Sequence, residues 1–344
     1  MGRRRIVLVV LLAVVGVGGY LAWQVYHRLF GPGPEFKEGD RIVLIPTGSD
    51  FDQLMDSLKA RGLVADERLF RSLAERKKYV NKVKPGRYRV RSGTSPNALI
   101  DILRSGEQEP VRITFNNIRT LPEFAGKVAG YLEADSAALI QAIRDPSTIE
   151  RLGLKPETMI SLFIPDTYEM YWTDAPAEVL ARMAREYKHF WNVERRAKAK
   201  EIGLDQGEVA TLASIVQAET AKSDEAPKIA GVYLNRLRIN MPLQADPTLK
   251  FALGIDSLNR VLDRDKEVDS PYNTYANTGL PPGPINMPEA RYIDAVLDAA
   301  KHDYLYFCAR ESLDGYSNFA RTYEQHLVNA RRYQRALNQR GIYR

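Results

Sequence analysis

Cysteine and histidine are scarce in this chain: its 344 residues include one cysteine, Cys308, and four histidines, at 27, 189, 302 and 326. A lone cysteine excludes a disulfide framework, and histidines so scattered give no Cys/His cluster with structural-zinc spacing, so no metal site is expected. A P-loop, a G-x-G-x-x-G and a G-x-S-x-G are also missing, which removes support for nucleotide, Rossmann and α/β-hydrolase chemistry. No cofactor is expected. Hydrophobic residues at 44% and charged residues at 27% are globular values that exclude wholesale disorder and a polytopic membrane protein.

The net charge of +6 is unevenly placed. Residues 1–29 carry Arg3, Arg4, Arg5 and Arg28 with no acid, and residues 59–112 hold 14 basic against 6 acidic side chains, leaving the rest acidic. A nucleic-acid partner is therefore not expected; the basic stretch could hold anionic wall polymer or lipid head groups, although scattered Lys and Arg more commonly form a solvated face.

The first conspicuous positive feature is Ile6 to Val25, 20 residues without a formal charge. At about 1.5 Å per residue it spans a hydrocarbon layer of about 30 Å. Arg3 to Arg5 precede it, which predicts a cytoplasmic N-terminus and an outer remainder, and Tyr20, Trp23 and Tyr26 suit the outer interface. The run exceeds a signal-peptide core and no A-x-A site follows, so a single-pass anchor in the cytoplasmic (inner) membrane is expected. Gly31-Pro32-Gly33-Pro34 reads as a spacer.

The expected fold class is α+β. A tail (1–5), a membrane helix (6–26) and a linker (27–40) lead to a small basic α+β module (41–112), a connecting helical region (113–159) and a mainly helical α+β catalytic domain (160–344). In the module, Ile42 to Ile45 reads as a strand. Asp50 to Arg61 reads as a helix, with Phe51, Leu54, Met55 and Leu58 at i, i+3, i+4 and i+7. A second helix begins at Thr94-Ser95-Pro96, places Leu99, Ile102 and Leu103 inward and stops at Gly106. Farther on, Pro165-Asp166-Thr167 reads as a loop in which Asp166 bonds nearby amides, and Ala175 to Ala199 as one long amphipathic stretch.

From Val209 the pattern carries chemistry. Leu212, Ile215 and Val216 form an apolar helical stripe whose next position is Glu219. An inward carboxyl is a candidate general acid, because burial disfavours its charged form; a carboxyl paired with Lys222 or Lys228 at a helix end is the plainer alternative. Three loops follow that are rich in proline, tyrosine and amide side chains: Leu243 to Thr248, Ser270 to Tyr275 and Gly279 to Ile285. Gln244 and Asn273 offer amides, and Tyr272 and Tyr275 offer flat faces, a mixture suited to a polysaccharide as well as to ordinary turns. Cys308, in the apolar run Tyr304 to Ala309, is expected in the core as a small hydrophobe.

These stretches, with Val232-Tyr233-Leu234-Asn235-Arg236-Leu237, Tyr304 to Phe307, Glu324-Gln325-His326 and Pro165 to Tyr168, resemble the YceG-like endolytic murein transglycosylases. The likeness covers roughly residues 160–330, and the basic module resembles that family's LysM-like subdomain. Two departures stand out: Gln217 replaces a common acidic residue, and Ile160-Ser161 replaces a common Glu-Gly. The resemblance implies cleavage of the MurNAc–GlcNAc β-1,4 bond inside a glycan strand, ending nascent-strand growth, with Glu219 as the catalytic residue. Gln244, Asp246, Tyr272, Asn273, Thr274 and Tyr275 are the expected substrate contacts. Peptidoglycan strands, the membrane and peptidoglycan synthases are the implied partners. Two alternatives stay open: a two-carboxylate hydrolase using Glu219 and Asp246, in which Asp246 is more simply an Asp-Pro turn residue, and a non-catalytic wall-binding anchor.

Overall fold

In a computed structural model, which describes residues 2–36, 39–255 and 262–341, the apolar run becomes one 28-residue helix, α1 (Arg3–Phe30). Its stretch Ile6–Phe30 has a mean hydropathy of 2.5, and the large apolar side chains from Ile6 to Val25 are exposed. Two compact units follow from the chain's contacts: one comprises residues 1–112 with Tyr131–Ala134 and Glu169–Ala175, the other the remainder.

In the first unit, strand β1 (Arg41–Ile45), helices α2 (Phe51–Ala60) and α3 (Glu67–Arg76), strand β2 (Gly86–Val90) and helix α4 (Pro96–Ser105) succeed one another. The strands pair antiparallel, Arg41 opposite Val90 and Ile45 opposite Gly86. Local sequence explains the helix ends. Asp50 and Gln53 cap α2 reciprocally at 2.8 and 3.0 Å, and the expected Phe51, Leu54, Met55 and Leu58 are all buried. Ser95 caps α4, Pro96 opens it and Gly106 closes it with φ 73°, a left-handed conformation that suits glycine. Its buried residues are Leu99, Ile100 and Leu103; Ile102, expected inward, is only half-buried. Helix α3 was not legible, because its few apolar positions sit among charges. Part of the basic excess is spent internally, on Arg71 with Asp52, Lys77 with Asp101 and Arg87 with Glu109.

The segment after α1 is docked. Leu29, in the last turn of α1, is 7% exposed and belongs to this unit's core. Gly33 N–H donates to Gly93 O, and Gly93 N–H to Pro34 O, each at 3.1 Å. A Cβ on Gly33 would fall 1.9 Å from Thr94 O, so the close approach requires glycine.

Strands β3 (Val111–Phe115) and β4 (Asp166–Met170) pair with each other, and between them lie α5 (Leu121–Ala129), α6 (Ser136–Arg144), α7 (Pro146–Leu152) and a 3-10 turn at Pro156–Leu162. Asp166 accepts from Thr167 N–H at 2.6 Å, but it begins β4 rather than lying in a loop. The stretch expected as one amphipathic run is two helices, α8 (Pro176–Phe190) and α9 (Val193–Ile202). Asn192 separates them by capping Arg195 N–H at 2.9 Å.

The second unit continues with α10 (Gln206–Glu219), α11 (Ala226–Arg238), α12 (Asp246–Leu253), a 3-10 turn at Asp263–Glu267, α13 (Ala290–Leu297), the hairpin β5 (Tyr306–Ala309) with β6 (Ser317–Ala320), and α14 (Tyr323–Gln339). Its core gathers α10 against α11, α12 and α13. The fold is thus mixed α+β, mostly helical, with one N-terminal apolar helix. Cys308 departs from expectation: it is half-buried, because β5 belongs to a two-stranded hairpin that covers it incompletely.

Truncating Leu29 removes a piece of the first unit's core, whereas truncating Leu12 removes nothing packed. Leu29→Ala is expected to lower stability by about 2–3 kcal/mol and Leu12→Ala to leave it unchanged, as read from denaturation of the detergent-solubilised protein. Equal effects would contradict the docking.

Candidate active site

Helix α10 starts at a reciprocal cap, Asp205 accepting from Glu208 N–H and Glu208 from Asp205 N–H, both at 2.8 Å. Every residue from Val209 to Val216 is buried, so this is a central helix that reaches the surface at its two ends. Three polar side chains stitch the 285–289 segment along its last turns. Ser214 Oγ accepts from Ile285 N–H at 3.0 Å, Asn286 Nδ2 donates to Ser214 O at 2.9 Å, and Gln217 Oε1 accepts from Glu289 N–H at 2.8 Å. Gln217 therefore serves here as a neutral acceptor that fixes the cavity wall.

Glu219 ends the helix. The Tyr233 hydroxyl, from α11, donates to Glu219 Oε1 at 2.9 Å. Tyr233 is 1% exposed and its ring meets Phe307 edge-on at 5.9 Å. Glu219 as a residue is half-buried, yet its carboxyl is crowded by protein. Both hold because the opening is one-sided. Burial pushes the carboxyl up to about 7; the Tyr233 bond opposes this, Asp246 adds to it, and Arg236 and Lys250 oppose it. The carbonyl end of α10, where Glu219 sits, also disfavours a negative charge.

The opening is a cavity of about 590 Å³ walled by Glu219, Asn117, Arg119, Pro247, Lys250 and Asn286 among others. Cavities of about 900 Å³ beside the start of α10 and about 560 Å³ in the first unit are lined by neither Glu219 nor any residue from 243–248 or 270–275. Size therefore does not pick out the chemistry; the shifted carboxyl does. Among the described residues no cluster of His, Cys, Asp and Glu is arranged to hold a metal ion.

The expected substrate contacts divide by burial. Asn273 and Thr274 are 0% and 2% exposed, and their side chains hold the loops. Asn273 Nδ2 donates to Lys266 O and Val268 O at 2.8 and 2.9 Å, and its Oδ1 accepts from Tyr275 N–H at 3.0 Å. Thr274 clasps the neighbouring loop: its carbonyl accepts from Gln244 N–H at 2.9 Å, and its Oγ1 accepts from Ala245 N–H at 3.0 Å. Tyr272 is half-buried against Phe251 at 4.7 Å. Gln244 is exposed, with φ 50°.

Asp246 is exposed and starts helix α12, with Pro247 pre-set at the first turn, so the Asp-Pro pair is a helix start rather than a free turn. The Tyr275 hydroxyl donates to Asp246 Oδ1 at 2.5 Å, and the Lys266 ammonium lies 5.3 Å from the Tyr275 ring centroid. The Tyr275 face offered for stacking is thus already partly covered.

Sequence reasoning missed Tyr233, Arg236 and Lys250 as neighbours of Glu219. Arg236 is 6% exposed and donates to Leu305 O at 2.7 Å and Leu243 O at 2.6 Å, bracing the loop that leads to Asp246. The available signal for Tyr233 was a hydroxyl on the apolar stripe of α11, four residues after Ile229, since a buried phenol needs a partner.

The electrostatics give signed expectations. Asp246→Asn removes a carboxylate that raises Glu219 and should lower its pKa; Tyr233→Phe removes a bond that lowers it and should raise it. Infrared or NMR titration of the Glu219 carboxyl checks both, and shifts of the same sign would contradict this arrangement.

A family model described as the YceG-like family matches residues 43–332 of the chain. The endolytic murein transglycosylase of Bacillus subtilis (strain 168) is 29% identical over 299 residues, covering 83% of this chain and 82% of that protein. That of Streptococcus pneumoniae serotype 2 (strain D39 / NCTC 7466) is 30% identical over 352 residues, covering 92% of this chain and 62% of that longer protein. Among solved structures, a 2.6 Å crystal structure of a yceG-like protein from Listeria monocytogenes superposes with a TM-score of 0.57 at 25% identity, covering 84% of this chain and 98% of that one.

Proposed function

Because the chain belongs to the YceG-like family, we propose that it is an endolytic murein transglycosylase in which Glu219 is the acid and then the base. The carrying observation is one carboxyl, raised to about 7 and facing a cavity. Tyr233 occupies Oε1, so the proton of the neutral acid sits on Oε2. Donation to the glycosidic oxygen breaks its bond to the muramyl C1, and the carboxylate then takes the proton of the C6 hydroxyl as that oxygen bonds to C1. The acid is regenerated, no water is consumed, and the strand ends in 1,6-anhydromuramic acid. Asp246, held by Tyr275, contributes its charge from one side and keeps Glu219 protonated nearer to neutrality.

The membrane reading joins this. The exposed apolar helix, preceded by three arginines, supports a single-pass anchor with the catalytic unit outside. The docking of Leu29 into the following unit argues for retention of the helix, since removing it would open a core. The basic module at 41–112 is assigned a LysM-like glycan-holding role, supported by its charge excess and its strand–helix–helix–strand–helix order.

Glu219→Gln is expected to abolish cleavage of purified strands with folding intact, and wild-type turnover to decline as pH rises through about 7, where the acid loses its proton. The same shift has a stability sign. Stabilisation tied to the protonated form is fully present below the ordinary Glu range and is lost as pH rises through the folded value, so at pH above 7 the Gln variant should be the more stable protein. Mass analysis should find anhydro ends one water lighter than hydrolytic ends. Mainly reducing ends, or labelled solvent oxygen at C1, would replace this mechanism with hydrolysis and promote Asp246 to a catalytic partner.

A further inference from the structure

Lys250 lies four residues after Asp246 in α12 and lines the same cavity as Glu219 and Pro247. The other cations of that cavity are engaged: Arg291 pairs with Glu289 at 2.8 Å, and Arg119 has a partner of its own. Among the described residues the Lys250 ammonium has no ion-pair or hydrogen-bond partner, although the residue is only partly exposed. Its field favours the charged form of Glu219, which works against a proton donor. A cation placed there serves something other than the acid.

Resting on the murein-cleaving reading, we propose that Lys250 is a specificity-determining residue that binds a carboxylate carried by the glycan strand beside the scissile bond. An ammonium in a half-enclosed wall makes a charge-assisted hydrogen bond to such a group. Murein supplies this chemistry from two places: the stem peptide, and the lactyl group on the muramyl C3 once the peptide has been removed. The pairing also couples binding to catalysis. A carboxylate on Lys250 cancels the field that opposes the neutral acid, so the matching strand makes Glu219 a better donor when it binds.

The test is binding without turnover, using the full-length Glu219→Gln protein in detergent and fluorescent strands of three kinds: peptide-bearing, peptide-stripped with free lactyl carboxylates, and carboxyl-amidated. Carboxylate-bearing strands should bind about tenfold tighter than amidated ones. Adding Lys250→Met should erase the difference and Lys250→Arg should keep it. Preference for the peptide-bearing or the stripped strand identifies which carboxylate is read. Equal binding of carboxylate-bearing and amidated strands, or a preference that survives Lys250→Met, overturns the proposal while leaving the murein reading standing. Binding to none of the three overturns both.

Discussion

The hydrogen bond from Tyr233 to Glu219 joins two packed helices at a carboxyl group that its surroundings would keep neutral. Around that contact the rest of the second unit takes its order. The buried flank of α10 fixes where the carboxyl emerges, α11 brings the phenol, and one turn later on α11 Arg236 reaches over to the carbonyls of Leu305 and Leu243. Acid strength is therefore a property of helix packing: small shifts of α11 relative to α10 would alter the bond and the enclosure together.

Rigidity of the loops follows a similar economy. The 243–248 and 270–275 segments spend their polar groups on each other, through Thr274 and Thr248, whose hydroxyls lie 2.8 Å apart, and through the closed bonding of Asn273. Loops tied in this way lose little entropy on meeting a ligand. Their mutual bonding positions Asp246, Pro247 and Lys250 as one block at the start of α12.

Legibility in the sequence tracked how local the determining physics is. Helix ends at Ser95, Gly106 and Asp50 were readable because caps act within a few residues. The inward direction of Glu219 was readable because helical periodicity carries it. The division of labour among Gln244, Asp246, Tyr272, Asn273, Thr274 and Tyr275 was not, since an amide or hydroxyl that brackets a loop has the same letter as one that holds a sugar, and only burial separates them. Cys308 was misjudged for a related reason: an apolar run says that a strand has a covered face, not how completely a small hairpin covers it. Lys250 was invisible because its significance is an ammonium without a partner among the described residues, which depends on residues distant in sequence.

The insertion of Leu29 into the core that follows it limits how the chain can be re-engineered. A foreign apolar helix spliced at Phe30 would carry away one wall of that core, and a flexible tether in place of Gly33 and Pro34 would break the paired contacts with Gly93. Helix α1 and the module thus form one exchangeable part, and a shortened version is better cut before residue 29, keeping the last turn of α1, than in the linker its sequence advertises.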